Sequence, residues 1–553
     1  MTFGAQRRGV LTDIALILLA SVATVALFAI LRRLGLPFGL RIGAMGEDYN
    51  WLLILSAPNA SARAQAFWAM NDRNPLSPWW YIPLRALYAN GANGPYLTRL
   101  LVQPLLGVSV YLMVWTATQG RARGIALGAG MLSAAWVLHT SPDQIAWNFI
   151  GALSLSCLSI AAFAAWVNGG RRAPGWYGLS LFLWFAAFGS YTFQVGAVVG
   201  IGLLSLLHPA APQGSLPRRL AGTAMEVLPY PLLLAAFVLA WKTTQNPAMA
   251  EYYALNPSLL LRNLPSSLWE GVALTRYIPF AGRGMAVLGW AGIGLAVLFG
   301  LAAAGLQLLV LRSEAPARLR DAALVLAITA GLVLPTLLIE SMSGTWTVGL
   351  RWPMVDQGWR PLLWTGAAAL LCAALPLSAR FRKLGLAAVT GVAAGWLLLA
   401  SLGYNNVQSV ASAHESAMRA QVAALAARVP PGAPFNFVIL VEEGVRLVTP
   451  DVMSYRVAPI WFLGRDFGLR VLQHDEDRRK DWDREAWSRV VLEDGHASNL
   501  RIGPGTGPFP AIRILRFDGR HITIPPVLDA ADFAGYPVHW LRSRPLRQDA
   551  AIP

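Results

Sequence analysis

The sequence predicts an all-α polytopic membrane protein, of about eleven transmembrane helices, that closes with a small α/β domain. Three observations carry this. Of 553 residues, 55% are hydrophobic and only 13% are charged. Apolar runs of about 20 residues recur through residue 402, and that length at 1.5 Å rise crosses the hydrocarbon core of a bilayer. From Tyr404 onward the long apolar runs stop, and 18 basic and 17 acidic residues share the remaining chain.

The elements follow in chain order. Apolar segments lie near residues 11–30, 97–118, 125–138, 147–167, 177–189, 193–207, 227–241, 285–311, 322–339, 362–377 and 384–402. The first is long for a signal-peptide core, and no small-residue cleavage site follows it, so it reads as a retained helix. The fifth and sixth are short and also fit one bent segment.

Orientation comes from the basic loops. Arg7 and Arg8, Arg121 and Arg123, Arg171 and Arg172, Arg218 and Arg219, Arg312 with Arg318 and Arg320, and Arg380 with Arg382 and Lys383 all fall on one side. The positive-inside rule makes that side cytoplasmic. Arg32, Arg33 and Arg41 disagree, one loop against six. The formal charge of +16 is mostly topological, because 27 basic and 12 acidic residues precede Tyr404. A nearly neutral soluble portion makes nucleic-acid binding a poor explanation. The chain's two cysteines, Cys157 and Cys372, both fall in apolar segments, so the outer parts hold no disulfide framework.

The long segments lie on the outer side. They are residues 32–96, 242–284, 340–361 and the C-terminal domain, 404–553, after a membrane module of residues 1–403. In the first, residues 59–70 read as a short interfacial helix with Ala62, Ala66, Phe67 and Met70 on one side. Three prolines in the stretch from Asp72 to Pro83 forbid a continuous helix there, and its aromatic cluster suits the headgroup level. In the tail, a helix over 411–429 is stopped by Pro430-Pro431-Gly432, and 435–441, 490–492 and 512–517 read as strands. The last membrane helix leads almost directly into the tail helix. Asp475-Glu476-Asp477 before Arg478-Arg479-Lys480 reads as a solvated charged turn. The tail shows no nucleotide loop, metal spacing or nucleophile elbow.

Outer carboxylates before the tail are few: Glu47, Asp48, Asp72, Asp143, Glu251, Glu270, Glu340 and Asp356. Glu47-Asp48 stands out, since two adjacent carboxylates at a membrane surface are costly to desolvate. Either can serve as a general base; the plainer reading is a pair with Arg41 or an early-turn helix charge. Asp143, in Ser141-Pro142-Asp143-Gln144, faces the same cavity or is an ordinary turn residue. Glu340 ends a helix, where it can orient an arginine. For an anionic leaving group, Arg351 and Arg360 in the third loop are the leading cations, because the guanidinium fork matches phosphate oxygens. The plainer reading of Arg351 is interfacial snorkelling. Arg276, Arg283 and Lys242 are weaker candidates. Trp79, Trp80, Tyr81, Trp346, Trp352 and Trp359 suit sugar stacking or an interfacial belt.

The layout resembles a bacterial GT-C polytopic glycosyltransferase. The likeness lies in one helix, a long outer loop opening with the acidic pair, the Asp72-Arg73-Asn74-Pro75-Leu76-Ser77-Pro78-Trp79 stretch, further helices and an outer C-terminal domain. It covers roughly residues 1–430. The resemblance implies a polyprenyl-phosphate-linked monosaccharide donor and a glycan, lipid or protein acceptor. It also implies a bacterial inner-membrane location with a cytoplasmic N-terminus and a periplasmic C-terminal domain, and a base at Asp48 or Glu47. A divalent metal, Mg or Mn, fits the same chemistry. The Trp-Trp-Asp signature of oligosaccharyltransferases is missing, which argues against asparagine glycosylation.

Other classes fit less well. A transporter would show repeats and mid-membrane charges, and the ionisable residues here fall at helix ends. An O-antigen ligase or polymerase would place its largest outer loop late. A non-catalytic membrane scaffold would make the acidic pair dispensable.

Overall fold

The computed structural model describes residues 3–36, 38, 61, 76, 94–135, 150–190, 192–209, 215–244, 255–272, 278–312, 314–342, 360–430, 436–445, 447, 468–474, 490–493, 496–498 and 512–548. From residue 94 on, these divide into two compact units at Asn406/Val407, and α1, below, belongs to the first.

The first unit is helical. α1 spans Phe3–Arg33, α2 Gly94–Ala117, α3 Arg123–Ala135, α4 Gly151–Asn168 and α5 Pro174–Ser190. A 3-10 turn at Thr192–Val195 leads into α6, Gly196–Leu207. α7, Leu216–Val227, and α8, Pro229–Thr244, meet at a 44° bend. α9 is Leu260–Val272, α10 Ile278–Leu288, α11 Trp290–Leu311, α12 Leu319–Ser341 and α13 Arg360–Ala374. α14, Ala379–Ala426, is one helix of 48 residues that begins in the first unit and ends in the second.

Each apolar segment read from the sequence contains a helix, but among the described residues the count of eleven spans is not confirmed. α1, α2, α4, α11, α12 and α14 are long and apolar enough to cross a membrane, and the bent pair α7–α8 adds a seventh if counted as one. α6, α10 and α13 are apolar but have only 12, 11 and 15 residues, short of the roughly 20 a span needs. The expected span at 285–311 breaks at Gly289. Its φ of +57° is open to glycine and strained for other residues.

Lipid gives helices no hydrophobic reason to associate, so close packing of small residues takes its place. A Cβ on Gly300 of α11 would lie 2.5 Å from the Gly391 carbonyl oxygen of α14, and one on Gly391 2.7 Å from the Gly300 oxygen. Gly107 of α2 meets Gly130 of α3 in the same way, at 2.6 Å. The outer faces stay apolar: Leu298, Leu301 and Leu309 of α11 are exposed, while Gly292, Ala296 and Gly300 are buried.

The second unit carries the strands. β1 is Asn436–Val441, β2 Gly468–Gln473, β3 Val490–Glu493, β4 His496–Ser498, β5 Ile512–Phe517, β6 Ile522–Thr523, β7 Val527–Leu528, β8 Val538–Trp540 and β9 Leu546–Arg547. The main sheet has the order β2-β1-β5-β6, with β1 parallel to both β2 and β5. A second sheet has the order β4-β3-β8. β1 is apolar from Phe437 to Val441 because both its faces are covered. Phe437, Ile439 and Val441 pack with Met418, Val422 and Ala426 at the end of α14. Val438 and Leu440 pack the other way, with Val490, Leu492 and Phe533. The strands expected at 435–441, 490–492 and 512–517 are present; β2 was not expected.

Candidate functional site

The two ends of the helical unit differ in charge. At one end the basic loops meet. Arg123, which opens α3, grips Asp13 of α1 through a two-pronged contact, Nε to Oδ2 at 2.7 Å and Nη2 to Oδ1 at 2.8 Å. Its Nη1 donates to Glu314 Oε1 at 2.7 Å, and Tyr111 OH donates to the same Asp13 at 2.8 Å. Arg121 pairs with Asp321 at 3.2 Å. Arg171 pairs with Glu226 at 2.5 Å, and Ser205 donates to Glu226 at 2.6 Å. Arg320 reaches the Leu207 carbonyl, and Lys383 the Arg312 carbonyl. The loops that the charge pattern assigned to one side therefore share one end.

His208, which caps α6 there, is buried. Burial, with Arg121, Arg171 and Arg320 nearby, pushes its pKa down to about 4, against a smaller opposing hydrogen bond at Ala117. Sequence reading weighed the arginines of this end but missed their partners. The signal was available: Asp13, Glu226, Glu314 and Asp321 fall in or beside the same basic stretches.

At the other end, the segment that leads into α9 meets the C-terminal end of α12. Asn263 of α9 donates to the Ser341 carbonyl at 3.0 Å, and the Asn256 amide donates to the Met342 carbonyl at 2.9 Å. This is the end where the sequence placed its site. Glu47, Asp48, Asp143, Arg276 and Arg351 lie outside the described residues. So do Asp72, Asp356, Trp346 and the other loop tryptophans named above. Glu340 is the last residue but one of α12. Lys242 lies in the last turn of α8, exposed. Arg283 of α10 donates to Asn406 Oδ1 at 2.9 Å.

Arg360 is described, and its position is unlike the expected one. It opens α13 with no exposed surface. Six residues further on, a Cβ on Gly366 would meet Leu326 of α12 at 3.0 Å, and Leu326 lies fifteen residues before Ser341. Since α12 and α13 run in opposite directions, Arg360 stands level with Leu332. That is nine residues, or about 13 Å at 1.5 Å per residue, below the end of α12.

α6 begins at the same depth. A Cβ on Gly196 would collide with the Leu332 carbonyl oxygen, and Gly331 meets the backbone of Gly200. Just before it, Gln194 Oε1 accepts from Ser156 Oγ at 2.9 Å. Pro335 lies within α12 and, lacking an N–H, withholds a hydrogen bond from the Gly331 carbonyl at this level. Two helix starts, a buried guanidinium and this carbonyl thus share one depth along α12.

This corrects one step of the sequence reading. Arg360 is at a helix end, as expected, but that helix end is deep, so an ionisable group does stand well inside the helical unit. Such groups are costly in a membrane and mark functional sites by default.

Among the described residues, no three His, Cys, Asp or Glu side chains stand close enough to share a metal ion. The acidic pair that would hold Mg or Mn lies outside them.

No protein-family model, no curated protein and no solved structure matches this chain.

Proposed function

We propose that this chain is a GT-C-type membrane glycosyltransferase. It moves a monosaccharide from a polyprenyl-phosphate donor to a glycan, lipid or protein on the outer side of a bacterial inner membrane. Asp48 or Glu47 takes the acceptor hydroxyl proton. The acceptor oxygen attacks the anomeric carbon as its bond to the phosphate oxygen breaks, inverting the centre. The leaving polyprenyl phosphate gains negative charge, and Arg360, with Arg351, neutralises it. A divalent metal held by the acidic pair would add Lewis-acid assistance to the same step.

The observation that supports this most is the complete burial of Arg360, opposite the ion-paired basic end. A guanidinium held away from bulk water interacts with a phosphate more strongly than one in water. The test is transfer from a synthetic polyprenyl-phosphate sugar in reconstituted vesicles. Asp48→Asn together with Glu47→Gln abolishes transfer at unchanged expression and melting temperature. Full activity in that double variant removes the base assignment.

One observation favours a second reading. A deep arginine level with a second helix start also suits a transporter of an anionic substrate. Uptake of a labelled lipid-free anion into vesicles, without any glycosyl transfer, would decide for it.

A further inference from the structure

At the basic end, a small recess opens between the C-terminal ends of α11 and α13 and the start of α14. Its floor is apolar, with Leu311, Ala369, Cys372 and Leu386. Arg382 and Lys383 also line it. Arg382 Nε donates to the Leu377 carbonyl at 3.0 Å, and Lys383 Nζ to the Arg312 carbonyl at 3.3 Å. Each cation is thereby held in place while keeping further N–H groups for a ligand. Arg312, Arg318, Arg320 and Arg380 are exposed in the same segments. The nearby carboxylates, Glu314 and Asp321, already pair with Arg123 and Arg121. Beside the cations, Phe381, Leu371 and Leu375 are exposed, so apolar surface flanks the positive one.

We propose that this recess binds an anionic glycerophospholipid, its phosphate on Arg382 and Lys383 and an acyl chain over the apolar floor. Excess positive charge selects an anionic headgroup over a zwitterionic one, and the floor selects a lipid over a free phosphate ester.

Cys372 supplies the readout, because it lines the recess while the chain's other cysteine, Cys157, is fully buried. The purified full chain in nanodiscs is labelled with a water-soluble maleimide, and peptide mass spectrometry follows the Cys372 site. Phosphatidylglycerol is expected to slow labelling where phosphatidylcholine does not. Arg382→Gln with Lys383→Gln is expected to weaken that protection by roughly tenfold or more, from the usual contribution of a surface cation. Equal slowing by the two lipids, no slowing by either, or equal protection by soluble glycerol 3-phosphate would overturn the proposal. Native mass spectrometry of the unaltered chain keeps the question open to refutation if the double variant fails to fold. Preferential retention of phosphatidylglycerol supports the site, and equal retention of both lipids counts against it.

Discussion

Arg123 and Arg360 are both arginines shielded from solvent in the same helical unit, yet their settings differ. Arg123 sits at the basic end, its fork closed on Asp13 and its third arm on Glu314. It joins α1, α3 and the α11–α12 connection. Arg360 opens a short helix about 13 Å inside the unit, at 1.5 Å per residue, level with the start of α6. The first has the geometry of a structural clamp. In the proposed function, the second is the group that meets the phosphate. A residue type alone does not separate these roles; position along the helix axis does.

The largest expected effect tests the clamp. Asp13→Ala leaves Arg123 shielded with half its partners gone, and breaking such a pair costs about 3–5 kcal/mol. The melting temperature in detergent should fall sharply, while an Asp13→Leu, Arg123→Met double variant recovers much of the loss. A double variant no better than the single one would show that the charges themselves are required.

Next comes Arg360→Lys. Loss of the two-pronged fork should lower transfer by roughly 10²–10³-fold, as for one lost transition-state donor, with little change in melting temperature. If Arg360→Lys instead behaves like Asp13→Ala, losing stability and not turnover, the contrast between the two arginines disappears.

Gly196→Ala probes the level they differ in. Its methyl would collide with the Leu332 carbonyl, and forced overpacking costs about 1–3 kcal/mol. Because α6 starts level with Arg360, activity should fall along with stability.

The mildest effect at neutral pH belongs to His208. Its folded-state pKa of about 4 lies below the ordinary value of 6.5. The unfolded chain therefore takes up a proton first as pH falls, and stability is lost between about pH 6.5 and 4. At pH 5 the loss is about 2 kcal/mol, at 1.36 kcal/mol per unit. Melting curves against pH should show a shallower acid decline in His208→Gln. An unchanged decline would show that His208 does not carry it.

Hydropathy made every apolar segment legible as a helix, because burial in lipid or protein demands the same residues. It could not read length or depth. The break at Gly289 hides inside an unbroken apolar run, and Arg360's depth comes from Gly366 packing on Leu326, a tertiary fact. In the tail, β1 and β5 announced themselves through Val, Ile and Phe. β2, Gly468–Gln473, carries Arg470 and a glycine, so its strand character comes from pairing with β1. The arginines of the basic end were legible singly, but their partners lie up to 200 residues away.

The glycine seams have a mechanical side. Where Gly300 faces Gly391 and Gly107 faces Gly130 the backbones nearly touch, and Ile17 of α1 packs against both glycines of the second seam, so that seam ties three helices together. At the basic end the Arg123–Asp13 contact joins α1 to α3 a second time. Raising salt should loosen that end before any apolar contact is lost, and protease or hydrogen-exchange mapping would see the fraying begin there.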